Sequence, residues 1–306
     1  MIQTQVALLR RELWEHRSIY VAPIVVAVLM ILGTMTGMVS ISGIEHVDAG
    51  IVGLSNLPEN GRSAVISGIM IGLSTTFVFA MSIMMIFYAL DALYSERKDR
   101  SILFWRSIPV TDSETVVSKL LTTMVVIPVI VFALIAATHL AVLIIDSVWV
   151  AMRGGNAWHL IWSAVPLTDN WAATLIFLLA LPLWLSPFIG WFLFVSAFTK
   201  RSPFLVAFLP LAVLPLLEKM LLGTAVFAEA FFVRSIKMPL FIDLHTMKRL
   251  FEEGEHFRIV ENAELSLLGL MDIGGFLLDP ALWLGLVVCA LFTAAAIYVR
   301  RYRDDS

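Results

Sequence analysis

The sequence predicts an all-α membrane protein: one transmembrane domain over residues 1–306, with six transmembrane helices, an N-terminal interfacial elbow helix and a large helical last outer loop. Three observations predict it. The composition is 59% hydrophobic and 15% charged, with a mean hydropathy of +0.90, where soluble domains hold about 45–50% apolar and about 25% charged residues. Runs free of Asp, Glu, Lys and Arg recur at 18–44, 63–90, 120–145, 170–199, 202–217 and 280–299, and about 20 apolar residues cross a bilayer. The basic residues gather in alternate loops, as they do when every run crosses.

Taken in order, segment 3–17 sets Val6, Leu9, Leu13 and Trp14 on one helical face and Arg10, Arg11, Glu15 and Arg17 elsewhere, the pattern of a helix lying in the membrane interface. It does not read as a cleavable signal peptide, because the apolar run behind it is too long and lacks a small-residue cleavage site. The spans follow at 18–41, 65–92, 118–145, 171–199, 203–222 and 280–299. The fifth begins as a short run, and Glu218 and Lys219 sit at its outer end, the lysine reaching toward headgroups. Pro182, Pro187, Pro210 and Pro215 interrupt backbone ladders in spans four and five, while Pro203 suits a helix start.

An even number of spans puts both termini on one side. That side carries Arg10, Arg11, Arg17, Arg97, Lys98, Arg100, Arg106, Lys119, Lys200, Arg201, Arg300, Arg301 and Arg303, well over half of the 21 lysines and arginines. The positive-inside rule makes it cytoplasmic and sets the chain in the cell (inner) membrane with cytoplasmic N- and C-termini. On the other side, loop 146–169 holds Trp149, Trp158 and Trp162, which suit an interfacial belt. Loop 223–279 carries Leu240, Leu244, Met247 and Phe251 at helical spacing, with Gly254 as a stop, and is expected to cap the outer mouth.

Several functions are excluded or disfavoured by what the chain lacks. A net charge of −3 gives no footprint for nucleic acid. The single cysteine, Cys289, makes neither an intrachain disulfide nor a CxxC metal site. No metal-ligand set and no catalytic constellation is legible, and HExxH is absent. The six lysines are followed by Asp99, Leu120, Arg201, Met220, Met238 and Arg249, so none completes a Walker A loop, which needs Ser or Thr there. Ionisable groups are scarce in the spans: His139 lies toward the outer part of the third, and Asp91 and Asp146 sit at span ends. That scarcity disfavours a carboxylate-based ion-coupled transporter and favours an external energy source with an apolar or amphipathic cargo.

The cytoplasmic region 93–117 is the most informative. It is dense in charge, yet it contains Ile102, Leu103, Phe104 and Trp105. Thr111 and Glu114 have capping-box spacing, so a helix is expected to start at Asp112 and feed span three, with Pro109 marking the break before it. The stretch 94–110, YSERKDRSILFWRSIPV, resembles the cytoplasmic loop of type-2 ABC transporter permeases, with Glu96, Arg97, Ser101, Ile102, Leu103 and Pro109 at the matching positions. The following SETVVSKL is similar to that family's entry into span three, and the six-span architecture is similar over the whole chain.

The resemblance implies a membrane-spanning permease subunit of an ATP-driven exporter. Two permease subunits, identical or paralogous, would pair over two copies of a separate ABC ATPase subunit. ATP and Mg²⁺ would act on that ATPase, and this chain would bind no cofactor and hydrolyse nothing. Region 93–117 would be the coupling helix, with Glu96, Arg97, Lys98, Arg100, Ser101, Leu103, Phe104 and Trp105 as the ATPase-coupling residues. Two GxxxG pairs, Gly33 with Gly37 and Gly68 with Gly72, stand near Thr75 and Thr76. Glycines four apart let helices approach closely, either within one subunit or around a cavity on the dimer axis. Two alternatives remain: a subunit that transmits mechanical work without moving a solute, and a secondary transporter.

Overall fold

The computed structural model describes residues 2–40, 52–99, 110–238, 240 and 266–302. Among them the chain is helical and contains no β-strand. In order come α1 (Ile2–Glu15), α2 (Ser18–Ser40), α3 (Glu59–Asp91), α4 (Tyr94–Lys98), α5 (Asp112–Leu121), α6 (Ile127–Met152), α7 (Leu167–Trp184), α8 (Ser186–Phe198), α9 (Pro203–Leu221), α10 (Val226–Ile236), α11 (Ile273–Leu278) and α12 (Pro280–Tyr302). Six helices are long and apolar enough to cross a membrane. This is a multi-pass membrane architecture.

Two helices outrun their apolar runs. The second starts at Glu59, and the third extends from Asp112 to Met152 through a single wide turn at Thr122–Val126. Backbone hydrogen bonding does not stop where apolar side chains do, so polar turns continue the rod at both ends. The wide turn precedes Pro128, which lacks the amide that an ordinary α-turn needs. The expected span 171–199 is two helices that break at Leu185, since Pro187 near the start of α8 cannot donate to the turn before it. The capping box forms: the Glu114 amide donates to Thr111 Oγ1 at 3.2 Å and the Thr111 amide to Glu114 Oε2 at 3.0 Å, so α5 begins at Asp112.

The largest core joins α2, α3, α6, α7 and α8 through Ile19, Phe77, Met81, Ile135, Leu178 and Leu193. Helix α8 lies against α12, where a Cβ added to Gly190 would sit 2.9 Å from Cys289 Cα. The outward sides stay apolar: Phe79 is 70% exposed, Leu284 68% and Leu205 65%. In water that surface would be costly, and in hydrocarbon it is matched. After α9 the chain doubles back at Gly223 (φ 67°). The carboxylate of Glu218 accepts from Thr224 Oγ1 at 3.0 Å and the Phe227 amide at 2.9 Å, which sets the first turn of α10.

Helix α10 is fixed to the bundle by Arg234. Its Nε donates to the Trp184 carbonyl and Nη1 to the Ala281 carbonyl, both at 2.8 Å, and the guanidinium lies 4.5 Å over the Trp184 ring. A Cβ on Gly285 would collide with that guanidinium, so the position admits only glycine while Arg234 stays. The amphipathic stretch through Leu244, Met247 and Phe251 lies outside the described residues. Leu240, the described member of that pattern, is fully buried beside Trp184 and Phe276.

Candidate functional site

The end of the bundle that carries α1 and the last turn of α12 holds a buried ion-pair cluster. Lys119, on α5, is wholly buried, as is Glu12 of α1. Its Nζ lies 2.9 Å from Glu12 Oε1 and 3.0 Å from Glu96 Oε1. Glu96, the central residue of α4, is 4% exposed. Arg11 Nη2 reaches the same Oε1 at 3.0 Å, and Arg300 Nη1 pairs with Glu96 Oε2. Arg300 Nε also donates to Asp112 Oδ1 at 2.9 Å. Tyr88 Oη, at the end of α3, donates to Glu12 Oε2 at 2.7 Å, and the His16 ring stands edge-on to Tyr88. The ion pairs and this hydrogen bond join α1, α3, α4, α5 and α12, so both ends of the described chain meet at one end of the bundle.

The electrostatics follow from burial. A charge removed from water is tolerated only when paired and hydrogen-bonded, and here Glu96 meets three cations. Burial alone would lower the pKa of Arg11, but the Glu15 hydrogen bond and the charge of Glu96 raise it above its ordinary value. Carboxylate oxygens of Glu12, Glu15 and Glu96 converge within 4.8 Å. Lys119, Arg11 and Arg300 already stand against the buried two, so the group is an ion-pair centre and not an open metal cage.

A second set of bonds ties α4 to α8. Ser196 Oγ accepts from the Leu93 amide at 3.0 Å and the Tyr94 amide at 2.9 Å. Arg97 Nη2 donates to the carbonyls of Ser196 at 2.6 Å and Thr199 at 2.9 Å, and Tyr94 Oη to the carbonyl of Arg201 at 2.6 Å. Of the coupling residues expected from the sequence, Glu96 therefore points into the chain, Arg97 is half-buried on α8, and Lys98 is exposed. Arg100, Ser101, Leu103, Phe104 and Trp105 lie outside the described residues.

Glu12, Tyr88, Lys119 and Arg300 are the residues that sequence reasoning missed. In the sequence the two cations read as basic flanks of spans, and the signal for pairing is that Glu12, Glu96 and Asp112 flank the same ends of those spans. The apolar stripe of α1 is divided between the bundle, where Leu13 packs, and the outside. Leu8 and Glu12 face the bundle, whereas Val6 is 59% and Trp14 70% exposed.

Among the described residues, Gly33, Gly68 and Gly72 are not where the chain packs on itself. A Cβ at Gly33, Gly68 or Gly72 would meet nothing within 4 Å, in contrast to Gly190. Thr75 and Thr76 are exposed on the same side of α3, and their hydroxyls turn back to the carbonyls of Ile71 and Gly72. Gly37 lies in α2 beyond the side chains described. No protein family, curated protein or solved structure matches the chain.

Proposed function

We propose that the chain is the membrane-spanning permease subunit of an ATP-driven ABC exporter, working as a pair over two separate ATPase subunits and moving a lipid, peptide or drug-like amphipathic cargo. The observation that carries this reading is the fastening of α4. The residues that open the basic loop are bound by ions to α1, α5 and α12 and by backbone carbonyls to α8. A push on the loop is thereby delivered to three spans and the N-terminal helix together, as alternating access driven from outside the membrane requires. In this reading the cluster lies at the cytoplasmic face. Helix α1 is an interfacial elbow that presents Val6 and Trp14 to lipid and Glu12 to the bundle. Lys98 and the following Phe104 and Trp105 meet the ATPase, while Glu96 and Arg97 anchor the loop from within.

Co-purification with a separately encoded ABC ATPase tests this. Phe104→Ala with Trp105→Ala is expected to abolish the complex, since each apolar anchor contributes about 2 kcal/mol or more when central to an interface. Glu96→Gln is expected to keep the complex and lower ATP-driven transport. A double variant that still binds and transports normally would overturn the assignment.

A second reading, transport driven by an ion gradient without an ATPase, is favoured by one observation. Asp146, inside α6, has a carboxylate oxygen sealed from solvent with no hydrogen-bond partner among the described residues. Uptake or efflux in proteoliposomes that contain no ATPase would select that reading over the first.

A further inference from the structure

At the end of the bundle opposite the ion-pair cluster, a cleft of about 240 Å³ opens between α3, α6 and the turn Trp158–Trp162. Its walls are apolar, built chiefly from Ile66, Ile69, Met70, Leu143 and Ile161. Two polar side chains interrupt them. His139 is fully committed: Trp171 Nε1 donates to its Nδ1 at 3.3 Å, which leaves Nε2 to donate to the Met70 carbonyl at 3.1 Å, beside Ser74 Oγ. Asp146 is not. It makes no hydrogen bond or ion pair with any described residue, and its Oδ1 is sealed from solvent. Arg62, the buried cation one turn before Ile66, points its Nη1 at His159 (3.4 Å) and forms no salt bridge to Asp146. Trp149, one helical turn beyond Asp146, also lines the cleft.

A carboxylate without a partner among the described residues is unfavourable in an apolar wall unless something compensates it. We propose that this cleft binds a lipophilic monocation, a tertiary or quaternary ammonium bearing one ring or a short alkyl chain. Asp146 supplies the counter-charge, and the Trp149 ring offers the face over which an ammonium is attracted. The aliphatic walls take the apolar body. The volume lies below the roughly 300–1,000 Å³ of drug-sized sites, so the ligand or ligand segment is small. An anion is repelled by Asp146. A hard metal ion finds one carboxylate where it needs six or more oxygens. This site goes beyond the coupling reading and stands without it, because it is made within one chain at the far end of the bundle.

The test uses the full chain in nanodiscs of zwitterionic phosphatidylcholine, with empty nanodiscs as the blank. Binding of phenyltrimethylammonium and of its neutral carbon isostere, tert-butylbenzene, is read by saturation-transfer NMR. The cation is expected to bind saturably and at least about tenfold more tightly than the isostere, a difference of about 1.4 kcal/mol. Asp146→Asn is expected to remove that preference and leave isostere binding within about twofold. Asp146→Glu is expected to retain the preference, and Trp149→Leu to weaken the cation several-fold. Thermal unfolding of Asp146→Asn at or above the wild-type temperature establishes that the variant is folded, since a half-buried charge in an apolar wall has been removed. Equal binding of the two probes, an unchanged preference in Asp146→Asn, or no saturable cation binding overturns the proposal. No ATPase enters the assay, so its failure is distinct from failure of the coupling loop.

Discussion

Lys119 shows how much one side chain can hold at the residue scale. It is wholly buried on a helix that enters a membrane span, and its ammonium is shared by Glu12 and Glu96. A buried pair adds little net stability over apolar residues of the same shape, but losing one member strands the other in a low-dielectric site. Lys119→Met is therefore expected to destabilise the protein by about 3–5 kcal/mol, read by denaturant or thermal unfolding in detergent. Adding Glu12→Gln to that variant is expected to restore part of the loss, since one stranded carboxylate has been neutralised. If the two changes are simply additive, the lysine and the glutamate do not interact and the cluster is misassigned.

At the scale of elements, the decisive contact is α8 against α12. These helices meet where Gly190 faces the backbone of Cys289, with Cα at 2.9 Å and the carbonyl oxygen at 3.0 Å from an added Cβ. Backbone cannot step aside as a flexible side chain can, so even one methyl group forces the helices apart. Gly190→Ala is expected to cost about 1–3 kcal/mol as an overpacked contact. Gly72→Ala is expected to be neutral or to gain about 0.5–1 kcal/mol from helix propensity, since nothing lies within reach of its Cβ in one chain. Tryptophan fluorescence during thermal unfolding separates the two. Effects of the same sign and size would mean that glycine content and not packing sets both. The sequence singled out Gly72 by its GxxxG spacing and passed over Gly190, because spacing reports which glycines share a face but not what lies opposite it.

For the whole molecule, sidedness decides whether region 93–117 can meet an ATPase at all. Lys98 ends the long helical segment Glu59–Lys98 and Leu57 lies just before its start, so cysteines at these two exposed positions stand at opposite ends of the bundle. In a Cys289→Ser background, a membrane-impermeant maleimide on intact cells is expected to label the cysteine at position 57 at once. The cysteine at position 98 is expected to react only after permeabilisation. The reverse pattern would put the basic loop outside and end the coupling proposal.

The sequence by itself determined the number of spans, the helical class and the start of α5. Each is a local matter: an uncharged run of sufficient length, or a Thr111–Glu114 cap that satisfies its own backbone. It also drew attention to Glu96 and Arg97, though as an outward contact surface. Only the tertiary structure decided that Glu96 faces inward with Glu12, Lys119 and Arg300 around it, that Arg97 turns to the carbonyls of Ser196 and Thr199, and that Asp146 has no partner among the described residues of its apolar cleft. Charged residues at the ends of different spans look alike in a sequence, since hydropathy records that a run stops but not which neighbour stands beside the stop. Whether such a charge is paired, exposed or stranded depends on helices brought together from as far apart as Glu12 and Arg300.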